Sequence, residues 1–392
     1  MGFLIKVCIL SVIIVSTSSL CLAQGEDGLE YERNSMHVMM IKHLNQKFDD
    51  IIEDVFLHSP FPERFNNHNL GVKTVSFAEL EGDQSQNIAS FIEQVNLGQK
   101  MVAKWFDRDK KTGAFDMELI KERGFYNATQ SQKNIARASI RGFALLEDAG
   151  ENLISKTYLL VNDISYKSKG SGNWLVKSLA SAYFGDVEGL QKSMESIGGF
   201  RVDIKSYLFR LKWDEDIAQT FYSEYYTEKG SIDESKVKAF SGERNLFQME
   251  YIGKTESMSS ETNFRAVKDP KDLLVKVCTQ TIDQNIAQLQ HQYADFRIKA
   301  PLISSQPLKA DIGKKEDVTE DSRFEVLERV LDEDGKVSYE HVGVIKPVRG
   351  KIKDNRYMVT KDESNDALLD ATEFEKVSGK EFFPGMLIRE IR

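Results

Sequence analysis

Apolar residues recur every three or four positions in two long stretches of the chain. In the stretch 87–106 they are Ile88, Phe91, Ile92, Val95, Val102 and Phe106, and in 271–296 they are Leu274, Cys278, Ile282, Ile286, Leu289, Tyr293 and Phe296. This spacing places the apolar side chains on one face of a helix. The sequence therefore predicts amphipathic helices here, with Cys278 as a small buried hydrophobe rather than a reactive thiol.

Other segments have the patterns of β-strands. Residues 157–166, TYLLVNDISY, are mostly apolar and rich in β-branched and aromatic side chains, which is typical of a buried strand. From residue 206 to 213 the odd positions are all large and apolar, and this period of two predicts a half-buried strand with Trp213 in the core. Asp214 can then start a helix. These elements predict an α+β body over 70–300, with a break between two subdomains near 170–200.

The residues before this body give a less regular pattern. Residues 35–57 are rich in Met, Ile, Leu and Phe, but their period is mixed between helix and strand. The next stretch, HSPFPERFNNHN, contains Pro60, Pro62 and several asparagines, which are typical of a loop. We therefore interpret 24–69 as a polar leader and loop.

The pattern changes after the prolines at 301 and 307, which mark a domain boundary. We interpret 301–322 as a linker and 323–392 as a small β-barrel of about five short strands. FEVLERVL and KVSYEHVGVI flank the turn DEDG, which predicts a hairpin. Further strands are expected at Tyr357–Val359, Phe374–Val377 and Met386–Ile391, with FFPG as a turn. The predicted fold class is thus α+β, a mixed α/β N-terminal and middle body followed by a small C-terminal β-barrel.

Three segments of this C-terminal region carry a family resemblance: ADIGKKEDVTEDSRFEVLE, VGVIKPVRGKIKDNR and TEFEKVSGKEFFPGMLIRE. They resemble the small C-terminal barrel of bacterial envelope proteins such as the flagellar protein FlgT, with Asp321–Ser322 in place of the usual Gly-Asp. The whole chain is similar to uncharacterised secreted proteins of Bacteroidota. This resemblance rests on the leader together with the segment FDMELIKERGFYNATQSQKNIARASIRGFALLEDAGENLISKTYLLVND. The resemblance implies an envelope location, and it assigns no catalytic residue.

The first residues have the layout of a secretory signal peptide. Lys6 precedes an apolar stretch from Val7 to Val15, and small residues follow up to Ala23. We expect cleavage after Ala23, so that 1–23 is removed; lipidation of Cys21 is the alternative. No later run approaches the roughly 20 apolar residues that span a bilayer. The mature chain is therefore expected to be exported, periplasmic or cell-surface associated, without a transmembrane segment.

The net charge indicates which partners the chain can bind, and the cysteine content shows whether it can form a disulfide. The chain of 392 residues has a net charge of −9, which makes nucleic acid an unlikely partner. Two of the three cysteines lie in the signal peptide, so Cys278 alone remains and the mature chain cannot form an intramolecular disulfide. Stability must then come from packing.

The common catalytic motifs do not occur. The sequence contains no G-x-S-x-G elbow, no H-E-x-x-H pair and no phosphate-binding glycine loop, so we predict no catalytic residue and no cofactor. His37, His43, His58 and His68 fall within one window of 32 residues. We interpret them as surface and loop histidines, with a metal cluster as the alternative.

Two charged groups are candidate binding sites. Asp107, Asp109 and Glu118 are spaced as in a calcium loop, whose hard cation prefers oxygen ligands, although an exposed turn explains the same residues. Lys133, Arg137 and Arg141 share one face of a predicted helix and can hold an anion or an acidic partner; a solvated face is the alternative.

These observations predict a non-enzymatic exported protein of the cell envelope that acts by protein–protein interaction with other envelope proteins. The alternative is a secreted hydrolase or a glycan-binding protein whose site is assembled from residues distant in sequence. The sequence does not indicate the oligomeric state.

Overall fold

The computed structural model describes residues 34–43, 48–62, 65–76, 83–127, 150–170, 197–261, 270–331, 337–358 and 369–391. The helices are α1 (Asp49–His58), α2 (Gln84–Gln94), α3 (Leu97–Trp105), α4 (Glu118–Asn127), α5 (Glu215–Thr220), α6 (Glu234–Gly242) and α7 (Pro270–Gln292). The strands of the body are β1 (Ser35–Ile41), β2 (Asn66–Asn67), β3 (Thr74–Val75), β4 (Thr157–Gly170), β5 (Ile197–Leu211) and β6 (Met249–Glu261). Those of the C-terminal region are β7 (Lys299–Ser305), β8 (Leu308–Ala310), β9 (Arg323–Leu331), β10 (Val337–Pro347), β11 (Thr372–Gly379) and β12 (Leu387–Ile391).

The body is built on one mixed sheet in the order β2-β1-β4-β5-β6, with β3 also paired to β1. Strand β1 is parallel to β2, β3 and β4, whereas β4, β5 and β6 are antiparallel neighbours. Helices α2 and α3 pack on one face of this sheet, and α1 and α7 pack on the other. The core is therefore divided into two layers by the sheet.

Because helices cover both faces, β5 is buried on both sides over Ser206–Phe209, whereas Arg201, Asp203 and Lys205 are partly or fully exposed. Phe209 packs on the α2 and α3 side, and Leu208 packs with Leu289 of α7 on the opposite side. The sequence-based expectation of a half-buried strand was therefore wrong for this segment. Trp213 lies just after β5, partly buried against the core with its ring stacked on Phe247, and Asp214 caps α5 as predicted.

Strand β1 lies inside the sheet, between β2 and β4, although we interpreted 24–69 as a polar leader and loop. A parallel strand buried on both faces carries a nearly continuous apolar run, SMHVMMI, and so lacks the alternation that identifies a half-exposed strand. Helix α1 follows, and its Ile52 is fully buried. This part of the chain thus belongs to the body.

Helix α7 has its apolar stripe on the sheet, as the sequence predicted. Leu274 and Cys278 are fully buried, and Ile282 packs partly buried against the same cluster. Burial raises the pKa of the Cys278 thiol to about 12, because the thiolate would lose its hydration there. Neither α7 nor any other helix in the described ranges is both long and apolar enough to cross a membrane.

A chain of buried polar side chains joins α7 to the sheet. Thr255 of β6 donates to Asn285 Oδ1 at 3.0 Å, and the Asn285 amide donates to Ser206 of β5. Ser206 in turn donates to Asn162 of β4, whose amide donates to the Met39 carbonyl at 3.1 Å. Each acceptor thus receives a hydrogen bond, so the row of polar groups is satisfied inside the core.

The C-terminal region forms a closed six-stranded barrel in the order β10-β11-β8-β7-β12-β9. An α+β body followed by a small C-terminal barrel is thus the fold class, as predicted, and the expected hairpin is present as the antiparallel pair of β9 and β10. The barrel starts earlier than expected, because β7 and β8 come largely from 301–322, which we interpreted as a linker. Residues Tyr357 and Met358 form a turn rather than the expected strand.

Candidate functional site

A cleft of about 690 Å³ lies between the body and the barrel. Helix α7 and the last part of β6 form its body wall, and the segments 314–320 and 350–356 form its barrel wall. Clefts of this size between domains are common sites for ligands. The cleft is therefore the candidate functional site.

The polar face of α7 supplies one side of the cleft. Gln280, Gln284 and Gln288 recur every four residues, so they share a helix face distinct from that of Cys278, and all three line the cleft. Amide side chains both donate and accept hydrogen bonds. Sequence analysis followed only the apolar stripe of this helix and missed these residues, although their four-residue spacing was the available signal.

Strand β6 supplies the adjacent part of the wall. It is the last strand of the body sheet among the described residues, so one of its backbone edges has no described strand beside it. Ser257 has a buried hydroxyl that makes no hydrogen bond within the described part of the chain, and Met258 is half exposed. Both line the cleft. This edge thus offers unused hydrogen-bonding groups beside an apolar side chain.

Local hydrogen bonds make the barrel wall rigid. Glu316 accepts from the Gly313 amide at 2.8 Å and from the Asn355 side chain at 2.9 Å. Asn355 in turn accepts from the Lys315 amide at 2.9 Å. Gly313 is packed so tightly that a Cβ would overlap the Lys353 carbonyl. The turn 313–316 is therefore held in place on the barrel, and it presents Lys315 toward Asp283 of α7.

Polar contacts connect the two walls. Lys315 Nζ lies 3.2 Å from Asp283 Oδ1 of α7, and the Gln280 amide donates to the Tyr357 carbonyl at 2.9 Å. Burial raises the pKa of Asp283, although Lys315 opposes this by favouring the carboxylate. The domains therefore meet here through polar groups.

A second charged group lies in the barrel wall. Asp354 Oδ2 is 2.7 Å from Arg356 Nη2 and 3.3 Å from Lys314 Nζ. Burial alone would raise the pKa of Asp354, but the hydrogen bond and the charge of Arg356, together with Lys314, hold it below its usual value. Two cations thus share one carboxylate, and Lys314 and Arg356 line the cleft from this position.

The calcium-loop candidates form a turn away from this cleft. Asp109 Oδ1 accepts from the amides of Lys111 and Thr112, at 2.8 and 2.7 Å, and these bonds lower the pKa of Asp109. Glu118 begins α4, and Asp107 adopts a positive φ of 36°. Across the described ranges, no group of three or more His, Cys, Asp or Glu is arranged to hold a metal ion. The structure thus uses Asp109 to close the turn that connects α3 with α4.

The predicted basic group and the clustered histidines lie elsewhere in the chain. Lys133, Arg137 and Arg141 lie outside the described residues. Two of the clustered histidines are not on the surface as expected: His68 is fully buried and contacts Arg123 at 2.9 Å, and His37 is buried in β1. They are buried because His37 belongs to β1 and His68 follows β2, and both strands are part of the sheet.

The remaining two histidines are more accessible. His43 Nε2 lies 2.7 Å from Asp163 Oδ1, and His58 is exposed at the end of α1.

No protein-family model matches the chain, and no curated protein matches it.

Proposed function

We propose that this chain is a non-enzymatic exported protein of the cell envelope, periplasmic or at the cell surface, that binds another envelope protein in its interdomain cleft. The observation that carries the proposal is the 690 Å³ cleft, whose walls come from both domains. The apolar leader before Ala23 supports export. The resemblance of the C-terminal segments to the barrel of flagellar envelope proteins supports the envelope location.

The edge of β6 supports a protein partner in particular. An extended peptide segment can pair with a free strand edge, and the edge then supplies backbone hydrogen bonds while neighbouring pockets take alternate side chains. Ser257 and Met258 lie on this part of β6, and Gln284 of α7 stands beside it, where it accepts from Ser259 at 2.7 Å. A segment bound here would contact body and barrel together.

The charges of the cleft support recognition rather than a reaction. Asp283 faces Lys315, and Asp354 faces Lys314 and Arg356. Asp283 holds Lys315 of the barrel wall against α7, whereas Asp354 fixes Lys314 and Arg356 within the barrel wall. Such paired charges fix register and exclude unsuitable partners.

Site-directed cross-linking in the native cell tests the proposal. Gln288 is exposed in the cleft, and Ser231 is exposed in the loop before α6, so Gln288→Cys and Ser231→Cys form a matched pair. With a bifunctional thiol reagent, Gln288→Cys should give a discrete protein adduct in the envelope fraction, whereas Ser231→Cys should not. Equal adducts from both variants, or none from either, would reject the cleft as a docking site. Recovery of the chain in the cytoplasmic fraction would reject export.

A glycan is the second candidate ligand, favoured by the row of three glutamines on α7. Calorimetry with neutral oligosaccharides from the cell wall separates it from a protein partner. Binding that is lost in Gln284→Leu would replace the protein partner with a glycan. Release of reducing ends during the same titration would favour a hydrolase.

A further inference from the structure

A second cavity, of about 110 Å³, lies within the body. It is bounded by β1, β4, the segment after α1 and α7. Helix α7 separates it from the interdomain cleft: Ile282 and Ile286 line the cavity, whereas Gln284 and Gln288 line the cleft. The cavity is therefore distinct from the cleft, and it lies on the face of the sheet that α1 and α7 cover.

One edge of β1 is open beside this cavity. On this edge β1 pairs with β2 up to Met36 and with β3 from Met40 onward. The Met36 carbonyl accepts from the His68 amide, and the Met40 amide donates to the Lys73 carbonyl. Because alternate residues of a strand direct their backbone groups to the same edge, the N–H and C=O of Val38 also point there. Neither group has a hydrogen-bond partner on this edge within the described part of the chain.

The segment 68–73 leaves this edge because it packs on the opposite face of the sheet. Leu70 contacts the cluster under α2 and α3, and its amide lies 3.5 Å from Nδ1 of His37. The His37 ring, which also contacts the Val72 carbonyl, points to that face, since side chains alternate along β1 and Val38 packs toward α1 and α7. The gap at Val38 is thus open on the side of the cavity, and Val38 is one of the residues that line it.

The wall of the cavity is mainly apolar. Phe56, Phe61, Leu160 and Ile286 are among its residues. An apolar cavity of roughly 150 Å³ accepts benzene, so a cavity of 110 Å³ suits about four carbon atoms. A leucine side chain has this size.

The opening is short and carries a cation. A strand rises about 3.3 Å per residue, so Met36 and Met40 are roughly 13 Å apart, and β2 and β3 occupy the edge on either side. A long extended segment cannot continue along this edge, whereas the end of a chain fits. Lys73 is the single charged side chain among the described residues that line the cavity, and it is exposed. A terminal carboxylate complements this charge.

We infer that the cavity binds the C-terminal residue of a polypeptide, with a branched aliphatic side chain such as that of leucine. The amide N–H of this residue donates to the Val38 carbonyl, and its carboxylate accepts from the Val38 amide and pairs with Lys73. This exchange is that of a hydrogen-bonded pair in an antiparallel sheet, whose opposite side chains lie on the same face. The leucine side chain therefore enters the cavity beside the side chain of Val38. Capture of a chain end by backbone groups is a recurring mode of peptide recognition.

Titration of the full mature chain with N-acetylleucine tests the inference, with the amide resonances of ¹⁵N-labelled valine as the readout. We expect a Kd of about 1 mM and a shift of the Val38 resonance, which Val38→Ile identifies by removing it. N-acetylleucinamide lacks the charge, N-acetylglycine lacks the side chain and N-acetyl-N-methylleucine lacks the N–H, so each should bind about tenfold more weakly. N-acetyltryptophan should not bind, because its ring system exceeds the cavity.

Two peptides decide whether the ligand is the end of a polypeptide. Acetyl-Gly-Gly-Leu should bind at least as tightly as N-acetylleucine, whereas acetyl-Gly-Leu-Gly, in which leucine is internal, should bind at least about tenfold more weakly. Binding of N-acetylleucine without binding of acetyl-Gly-Gly-Leu would overturn the assignment to a polypeptide. Equal binding of the two peptides would overturn the selection of a C-terminal leucine.

Variants locate the site. Lys73→Met should weaken binding of N-acetylleucine by about threefold to tenfold, and Ile286→Phe, which fills the cavity, by at least about tenfold. Lys100→Met, at an exposed lysine of α3, should leave binding unchanged. If Ile286→Phe does not fold, the N-methylated ligand and Lys73→Met decide the question. Absence of any Val38 shift at about 20 mM N-acetylleucine would overturn the inference. Unchanged binding in both Lys73→Met and Ile286→Phe would also overturn it, because the ligand would then lie elsewhere.

Discussion

Nδ1 of His291, near the end of α7, lies 3.0 Å from Oε2 of Glu390 in β12, and both side chains are buried. Nε2 of the same ring lies 3.2 Å from Oδ2 of Asp317, which is part of the barrel wall of the cleft. One imidazole of the body thus stands between two carboxylates of the barrel. This arrangement fixes the barrel against α7 beside the cleft.

Replacing His291 with Ala should loosen the barrel. The change leaves the buried Glu390 carboxylate without this partner, and we expect the free energy of unfolding to fall by about 2 to 4 kcal/mol. Limited proteolysis should then cut faster between α7 and β7. Urea unfolding and digestion rates measure the two effects, with His58→Ala, at an exposed histidine, as the control. Unchanged stability and unchanged digestion would show that this contact does not orient the barrel.

Acidification should destabilise the body through its buried histidines. Burial lowers the pKa of His37 to about 4 and lowers that of His68 as well, so the unfolded state binds protons that the folded state does not. Stability is therefore full above the unfolded pKa of about 6.5 and is lost as the pH falls from there toward 4.

His37 alone accounts for about 3 kcal/mol of this loss at its limit, since one pKa unit corresponds to about 1.36 kcal/mol. Urea unfolding between pH 7 and pH 4.5 measures it. The slope of unfolding free energy against pH should be smaller in His37→Phe than in the parent, whereas His58→Gln should leave it unchanged. Equal slopes in His37→Phe and the parent would contradict the assigned burial.

Local patterns explain which elements the sequence revealed. The stripe around Cys278 and the hairpin of β9 and β10 are visible because their periodicity is set by neighbours a few residues away. Strand β1 was missed because burial on both faces removes the alternation. The strands β7 and β8 were missed because they are short and because Pro301 within β7 and Pro307 between the two strands are typical of linkers.

The interdomain cleft could not be predicted from the sequence, for a different reason. Lys315 approaches Met258 and Gln284 of the body only after the barrel docks on α7, and no spacing along the chain encodes that docking. The burial of His37 could not be predicted from the sequence either, because it results from the position of β1 inside the sheet.

Asn285→Leu should break the polar row that joins α7 to the sheet. Thr255 would lose its acceptor and Ser206 would lose its donor, both inside the core, so we expect a loss of about 2 to 4 kcal/mol in unfolding free energy. Gln288→Leu makes the same chemical class of change on the exposed face of α7 and should cost less than about 0.5 kcal/mol. Chemical denaturation of both variants measures the difference, and a similar cost for the two would show that the row contributes little.

Cys278 should be unreactive in the folded protein. Its thiol is fully buried and its pKa is raised to about 12, so neither the thiolate nor access for a reagent is present at pH 8. A disulfide reagent should therefore label the chain without residues 1–23 only after denaturant is added. Rapid labelling of one thiol per chain under native conditions would contradict this burial.

Gly98→Ala should destabilise the junction between α3 and the segment before β6. A Cβ at Gly98 would overlap the Phe247 carbonyl, and α3 cannot easily retreat because the Asn96 amide donates to the Glu243 carbonyl at 2.7 Å. Overpacking of this kind costs about 1 to 3 kcal/mol. Gly242→Ala is the matched control, because a Cβ there meets nothing within 4 Å.

Thermal unfolding should separate the variants, and the near-ultraviolet signal of Trp213, stacked on Phe247, should change only in Gly98→Ala. Equal melting temperatures for Gly98→Ala and the parent would show that α3 can shift without cost.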